Sequence, residues 1–284
     1  MSISKTVLAF IVSIYVGLTV QADIIIEKGD KIAFLGDSIT QAGAKPGGYC
    51  RIIIDTLNEK GLEVEARYAG ISGHKSNQML ARLEKDVLSH NPQWMTLSCG
   101  VNDVWHGKGG VQLEDYKKNI TSIVDKAQAA GIKVIILTST MIKEEQSNTL
   151  NQTLKGYNDF LVELSKEKNC LLADLNAIMQ ETIKTMDKDN RGNTVTSDGV
   201  HMNSAGNMMM ARGILEVMGF TATELDTFEK EWASIPNTNK IRINLQLSHA
   251  ELLTLQKSAK AKGKKVEEVF NEVIESKKAE LMNQ

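Results

Sequence analysis

From Lys31 onward, short apolar runs alternate with longer amphipathic segments. The apolar runs predict β-strands at Lys31–Gly36, Glu63–Ala69, Trp94–Ser98, Ile132–Thr138 and Cys170–Ala173. The segments between them repeat apolar residues at helical spacing and predict helices at Gly48–Lys60, Ser76–Ser89, Leu113–Ala130 and Leu150–Lys168. Three residues stand where helices would end: Gly61, Gly131 and Asn169. This alternation predicts an α/β fold with a mostly parallel five-stranded sheet, covered by helices on both faces.

The amino terminus has the pattern of an export signal. Lys5 is the only charged side chain among the first 22 residues, and an apolar run follows from Val7 to Val20. Val20-Gln21-Ala22 then places small residues where signal peptidase cleaves. We predict a signal peptide of residues 1–22, cleaved after Ala22, and a secreted or periplasmic protein without stable membrane insertion. A permanent anchor is the alternative, but it needs roughly 20 apolar residues.

The carboxyl terminus predicts a separate strand-helix-helix extension, residues 236–284, after a main domain of residues 23–235. Lys240–Leu247 alternates polar and apolar residues as a half-buried strand does. Ser248-x-x-Glu251 forms a capping box that begins one helix, and Val266–Leu281 predicts a second helix. The extension resembles the ribbon-helix-helix fold of small DNA-binding dimers. Homodimerisation and packing on the main domain both remain open for it.

Charge and cysteine content narrow the classes of partner. A net charge of −2 and a pI near 6.3 give no reason to expect a nucleic acid or an anionic membrane as the main partner. Cys50, Cys99 and Cys170 match no zinc-binding spacing, so we interpret all three as structural. Asp187–Gly192 begins like a calcium loop but has Arg191 at the fifth place, and we interpret it as a solvated loop.

Polar and small residues directly follow three of the predicted strands, as Gly36-Asp37-Ser38, Gly70-Ile71-Ser72-Gly73-His74 and Ser98-Cys99-Gly100-Val101-Asn102-Asp103. Ligands of parallel sheets bind outside the carboxyl ends of the strands, so we expect the chemistry there. Each segment also has an ordinary interpretation, as a helix cap, a tight turn and an Asx turn.

Asp198 and His201 lie far downstream, three residues apart and just before a helix that Asn203 or Ser204 would cap. This spacing allows the carboxylate to accept from one ring nitrogen, leaving the other nitrogen as a base. A serine hydroxyl needs such a base, because it is not ionised at neutral pH. A surface loop with a chance Asp and His is the alternative.

Taken together, these four segments resemble the SGNH (GDSL) hydrolase family, over about Lys31 to Gly219. The resemblance implies a three-layer, flavodoxin-like fold and no metal or organic cofactor. It implies Ser38 as nucleophile, His201 as general base and Asp198 as the residue that orients it. The oxyanion hole would consist of the N–H groups of Ser38 and Gly73 and the side chain of Asn102.

Three further residues are candidate substrate contacts: Asp37, His74 and His106. His74 stands where relatives often carry Asp, and His106 follows the Asn102 segment beside Trp105. The predicted function is a secreted serine ester hydrolase that cleaves small acyl esters, with O-acetyl groups on carbohydrate as the leading substrate. The alternatives are a lipase or lysophospholipase and a catalytically silent glycan-binding module on the same fold.

Overall fold

The computed structural model describes residues 23–186, 193–236 and 246–282. Outside these residues lie the predicted signal peptide, the predicted loop Asp187–Gly192 and most of the predicted strand Lys240–Leu247. The chain divides between Asn239 and Lys240 into two compact units. None of the described helices is long and apolar enough to cross a bilayer.

The first unit contains a five-stranded, entirely parallel sheet, as predicted, with the strand order β2-β1-β3-β4-β5. The strands are β1 (Lys31–Gly36), β2 (Glu65–Gly70), β3 (Trp94–Ser98), β4 (Lys133–Leu137) and β5 (Leu171–Ala173). β2 begins later than predicted because Glu63 has a φ of 52°, which belongs to the left-handed region and not to a strand.

Nine helices of the first unit lie in its described residues: α1 (Ser38–Gly43), α2 (Tyr49–Glu59), α3 (Ser76–Asp86), α4 (Val101–Trp105), α5 (Leu113–Ala129), α6 (Thr149–Glu167), α7 (Leu175–Thr185), α8 (Ser204–Val217) and α9 (Ala222–Ala233). The four helices predicted between the strands are confirmed as α2, α3, α5 and α6. Gly61, Gly131 and Asn169 follow helices with positive φ, as expected of terminating residues.

The helices form two layers around the sheet. α3, α5 and α6 pack together, and α2, α7, α8 and α9 pack as a second group. β1 is an interior strand, paired with β2 and β3, and its residues Ile32 to Leu35 are completely buried. The near-continuous apolar sequence of β1 therefore reflects burial on both faces. Pairing with a strand on each side also fixes the carboxyl end of β1, where Ser38 follows.

The second unit contains two helices in its described part, α10 (His249–Ala261) and α11 (Val266–Met282). The predicted capping box is present at the start of α10, where the Ser248 hydroxyl and the Glu251 backbone N–H are 3.3 Å apart. The Glu251 carboxylate in turn accepts from the Ser248 backbone N–H at 2.7 Å. The two helices of the tail are thus confirmed.

Candidate active site

The carboxyl ends of β2, β1 and β3 lie side by side, and the residues that follow them meet there. Asp37 caps α1 by accepting a hydrogen bond from the Ile39 backbone N–H at 2.9 Å. This cap places Ser38 at the first position of the helix, where its side chain is half-buried. Gly36 allows the tight approach, since a Cβ atom there would lie 2.0 Å from the Thr40 hydroxyl. The sharp turn from strand to helix therefore presents the Ser38 hydroxyl at the sheet edge.

Ser38, His201 and Asp198 form one hydrogen-bonded series. The Ser38 Oγ lies 2.9 Å from His201 Nε2, although 163 positions separate the two residues in the chain. The other ring nitrogen, Nδ1, lies 2.7 Å from Asp198 Oδ2. With the aspartate accepting from Nδ1–H, Nε2 is left as the acceptor that faces the serine hydroxyl. The structure thus brings together the three residues that the sequence pairs as a triad.

Asp198 is held as a carboxylate. Burial acts to raise its pKa, but hydrogen bonds from the His201 N–H and ring and from the Val200 N–H outweigh burial and leave the pKa below its ordinary value. The two backbone N–H groups lie 2.8 and 3.0 Å from Oδ1. Because Oδ1 takes the backbone contacts, Oδ2 is free to bind the imidazole.

The loop that carries Asp198 and His201 is attached to the segment after β4. The Glu144 carboxylate accepts from the N–H groups of Thr194, Val195 and Thr196, at 2.5, 2.9 and 2.7 Å. It also accepts from the Thr196 hydroxyl at 2.7 Å. Next to it, the Lys143 N–H donates to the Gly199 carbonyl at 2.6 Å. Glu144 therefore fixes the chain just before the Asp198–His201 turn.

Asn102 lies beside the triad on the first turn of α4. Its Nδ2 donates to Asp37 Oδ2 at 3.0 Å and makes a longer contact, 3.4 Å, with the His74 carbonyl. An amide has two N–H groups, so the contact with Asp37 orients the group and leaves one weakly held hydrogen. Gly73 adopts a φ of 74°, with open space where a Cβ would stand, so its N–H belongs to an uncrowded turn.

The structure corrects the expected role of Asp37. Only 3% of this residue is exposed, and its two oxygens bind the Ile39 N–H and the Asn102 amide. Burial raises its pKa to about 6, against the opposing effects of the Ile39 hydrogen bond and of nearby His201. Asp37 therefore orients the Asn102 side chain from the buried interior and is not placed to contact substrate.

His74 is held by Arg82, which the sequence analysis did not identify. Arg82 Nε donates to His74 Nδ1 at 3.2 Å, so the neutral ring carries its proton on Nε2. Burial and the neighbouring guanidinium lower the pKa of His74 below its ordinary value. The same guanidinium donates to the carbonyls of Gly36 and Ala69, both at 2.8 Å. Arg82 thereby ties the ends of β1 and β2 to the loop that contains Gly73.

Neither Arg82 nor Glu144 belongs to a recognisable motif. Arg82 lies three residues after the buried Met79 and one before the buried Leu83, and a charge so close to the buried stripe of α3 was the available signal. Glu144 left no signal, because most of its partners are backbone N–H groups some 50 residues away.

The remaining candidate residues lie outside the hydrogen-bonded triad. His106 is exposed at the end of α4, next to the exposed Trp105. Cys50 and Cys99 are buried, and Cys170 is half-buried; all three thiols are free. Within the described ranges, no group of three or more His, Cys, Asp or Glu side chains could hold a metal ion.

Comparison with known proteins gives consistent results. Residues 34–209 match the model of the GDSL-like Lipase/Acylhydrolase family. An acetylxylan esterase of Geobacillus stearothermophilus is 29% identical over 217 residues, which are 69% of this chain and 96% of that protein. The crystal structure of Axe2, an acetylxylan esterase from Geobacillus stearothermophilus, superposes with a TM-score of 0.63 at 28% identity, covering 69% of this chain and 97% of that one.

A second solved structure, the acetyl xylan esterase AlAXEase, is 34% identical with a TM-score of 0.62 and covers 66% of this chain and 98% of that one. The family match spans more than half of the 284 residues. The chain therefore belongs to the GDSL-like lipase/acylhydrolase family and is a carboxylic ester hydrolase.

Proposed function

We propose that this enzyme removes small acyl groups, above all acetyl groups, from carbohydrate through an acyl-enzyme on Ser38. The observation that carries the proposal is the hydrogen-bonded series of Ser38, His201 and Asp198 at the carboxyl edge of the sheet. The acetylxylan esterases among its relatives support acetyl groups on a sugar polymer as the substrate class.

Acylation begins at Ser38. His201 Nε2 takes the hydroxyl proton as Oγ attacks the acyl carbon, and the resulting imidazolium is stabilised by Asp198 through Nδ1–H. The tetrahedral intermediate then collapses. Its alcohol oxygen leaves with the proton that His201 returns, and the acyl group remains on Ser38 as an ester. Both proton transfers of this half-reaction use His201 Nε2, which lies 2.9 Å from the Ser38 Oγ: the first takes the proton from Ser38, and the second delivers it to the alcohol oxygen.

The negative charge of the intermediate needs hydrogen-bond donors that are already in place. Asn102 supplies the side-chain N–H that Asp37 leaves weakly held, and the backbone N–H groups of Ser38 and Gly73 supply two more. Ser38 lies at the start of α1, where backbone N–H groups have no intrahelical partner. Water then attacks the acyl-enzyme with His201 as base, and the acid departs from the same three donors.

The openness of the site favours a small acyl group on a large alcohol. The side chains of His201 and Asp198 are 41% and 55% exposed. An open triad gives a polymer access to Ser38, whereas a lipase-type enzyme needs an enclosed apolar channel for a long acyl chain. The exposed base is therefore the feature that favours an acetylesterase over a lysophospholipase.

The experiment compares p-nitrophenyl acetate with longer p-nitrophenyl esters, and then acetylated xylan with acetylated pectin. We expect turnover of the acetyl ester by the wild type, a decline with acyl length, and loss of turnover in Ser38→Ala. Ser89→Ala is the matched control, at an exposed serine in the turn that precedes the amino end of β3, whereas the site lies at the carboxyl end. Equal activity of Ser38→Ala and the wild type would overturn the mechanism. A preference for long acyl chains would replace the acetylesterase with a lipase.

Two broader proposals accompany this one. The amino-terminal apolar run supports export of the enzyme to the compartment where extracellular polysaccharides occur.

The exposed apolar residues of the second unit support association with a second copy of the chain. In the part described, its buried apolar residues are Ala259 and Val269, while Leu253 and Val273 are 50% and 55% exposed. Two helices with so little buried apolar surface need a further partner to be stable.

A further inference from the structure

We infer that the indole of Trp105 is the platform on which the sugar ring of the substrate stacks, on the alcohol side of the active site. This inference rests on the proposed function and specifies which residue binds the carbohydrate.

The exposure of Trp105 first singles it out. The chain has three tryptophans, and Trp94 and Trp232 are 4% and 6% exposed, whereas Trp105 is 41% exposed. The indole N–H of each buried tryptophan has a partner, Asp30 for Trp94 and Thr56 for Trp232, both at 3.0 Å. For Trp105, the structure shows no such partner among the described residues. An exposed indole on the helix that also carries Asn102 is available to bind a ligand by its apolar face.

The position of Trp105 on α4 places it one helical turn from Asn102. Val101, Asp103 and Val104 are the buried residues of this helix. Asn102 and Trp105 are three residues apart, a spacing that places two side chains on the same helix face, one turn from each other. The outward face of α4 therefore carries the oxyanion donor at one end and the exposed indole at the other.

The helix is fixed in this orientation by the loop after β2. The buried Asp103 carboxylate accepts from the Ser76 N–H at 3.0 Å and from its hydroxyl at 2.6 Å. Lys75 Nζ donates to the Gly109 carbonyl, at 2.9 Å, just beyond the helix. These contacts join α4 and the residues after it to the segment that contains Gly73. The platform is thus preorganised relative to the oxyanion donors, which lowers the cost of ordering it on binding.

The chemistry of the site fits a pyranose ring. One face of such a ring consists of C–H groups, which carry partial positive charge and are attracted to the electron-rich face of an indole. The hydroxyl groups of the ring point sideways and stay hydrated at an exposed platform. In this proposal the acyl carbon lies at Ser38 and its oxygen at Asn102, and the sugar ring of the alcohol portion lies over the outward face of α4.

The kinetic test compares two acetyl esters that differ only in the alcohol. For Trp105→Ala, we expect the ratio of kcat/KM on acetylated xylo-oligosaccharide to kcat/KM on p-nitrophenyl acetate to fall by about tenfold or more, mainly through KM. Trp105→Phe, which keeps an aromatic face, should recover much of the ratio. Leu171→Ala removes another exposed apolar side chain, at the opposite end of the sheet, and should leave the ratio unchanged.

The outcomes separate this inference from the proposed function. If the wild type does not hydrolyse acetylated xylo-oligosaccharides, the carbohydrate assignment fails and the platform fails with it. If the wild type hydrolyses them and Trp105→Ala keeps the wild-type ratio, the platform alone is overturned.

A binding measurement gives a second test that does not depend on turnover. In Ser38→Ala, acetylated xylo-oligosaccharide should change the tryptophan emission, because Trp94 and Trp232 are buried and Trp105 is accessible. Adding Trp105→Phe to this variant should abolish the change. A change that persists without Trp105 would overturn the inference.

Discussion

Asn102 has two amide hydrogens, and the structure assigns one of them to Asp37. The second hydrogen has only a 3.4 Å contact with the His74 carbonyl, so it can turn to a developing oxyanion at little cost. At the scale of single residues, the oxyanion hole in this account depends on that division: one hydrogen of the Asn102 amide fixes its orientation, and the other remains for the substrate.

The loss of Asn102 should therefore affect the rate more than binding. For Asn102→Ala we expect kcat to fall by about 10²–10³, the effect of removing one oxyanion donor, with KM changing little. Steady-state kinetics on p-nitrophenyl acetate measures the loss, and thermal unfolding checks that the variant is folded. A variant with wild-type kcat would remove Asn102 from the oxyanion hole.

Asp37 should make stability depend on pH in a definite direction. Its pKa is 3.8 in an ordinary setting and about 6 in the folded enzyme. As the pH rises from about 3.8 to 6, the unfolded chain loses this proton and the folded chain keeps it, so the folded state is progressively destabilised. The full shift corresponds to about 3 kcal/mol. Below this range the carboxyl is neutral in both states.

Asp37→Asn cannot ionise, so its free energy of unfolding relative to the wild type should rise by about 2 kcal/mol between pH 4 and pH 7. Urea denaturation of both proteins across that range measures the difference. The test is how the difference in free energy of unfolding between the two proteins changes with pH. Its value at any one pH also includes the hydrogen bonds that the amide of Asp37→Asn cannot make. A difference that does not change with pH would contradict a raised pKa for Asp37.

At the scale of elements, two loops from distant parts of the chain hold the triad in register. Glu144, after β4, receives three backbone N–H groups from residues 194–196, immediately before Asp198. Both oxygens of a carboxylate can accept these hydrogen bonds. An amide has only one oxygen, and its N–H₂ group would face some of the same N–H donors and repel them. Glu144 is thus a positioning residue that acts through the Asp198–His201 loop.

We expect Glu144→Gln to lower kcat by about tenfold to a hundredfold, because displacing the imidazole by a fraction of its hydrogen-bond length is sufficient for such a loss. KM should change little, since Glu144 does not contact substrate in this account. Glu145→Gln, at the exposed neighbouring position, is the matched control. If both variants show wild-type kcat, the hydrogen bonds of Glu144 with residues 194–196 do not position the triad.

The elements that sequence reasoning identified are those with strong periodicity. β1, β3 and α5 begin where the pattern places them, because long apolar repeats leave few alternatives. The sequence did not predict α1 and α4, because helices of six and five residues are too short to show a hydrophobic period. α7 and α9 were also not predicted, although both have amphipathic patterns.

The same contrast holds for the site. Ser38, Asp198 and His201 could be found because each occurs in a short motif of fixed spacing. Glu144 could not, because most of its partners are backbone groups from a distant segment, and backbone groups leave no mark in a sequence. For Arg82 the one signal was a charge beside the buried stripe of α3, which does not reveal its partners. Their roles depend on how the loops are folded together and became visible only in the structure.

At the scale of the whole molecule, the second unit is the part whose purpose the family does not explain, since the family match ends at residue 209. Its exposed apolar residues support association between copies of the chain. We predict that removing all residues after Ile235 changes the mass measured by light scattering from that of a dimer to that of a monomer. A full-length protein that is already monomeric would contradict the dimer, and packing of the tail on its own chain would then be the alternative.

The central claim is that His201 activates Ser38 as a nucleophile, and covalent labelling tests it most directly. A fluorophosphonate reacts with an activated serine and leaves a stable adduct that peptide mass spectrometry can locate. We predict one adduct, on Ser38, that forms in the wild type and is strongly slowed in His201→Ala. An adduct on another residue, or an equal rate of labelling in the two proteins, would contradict the account.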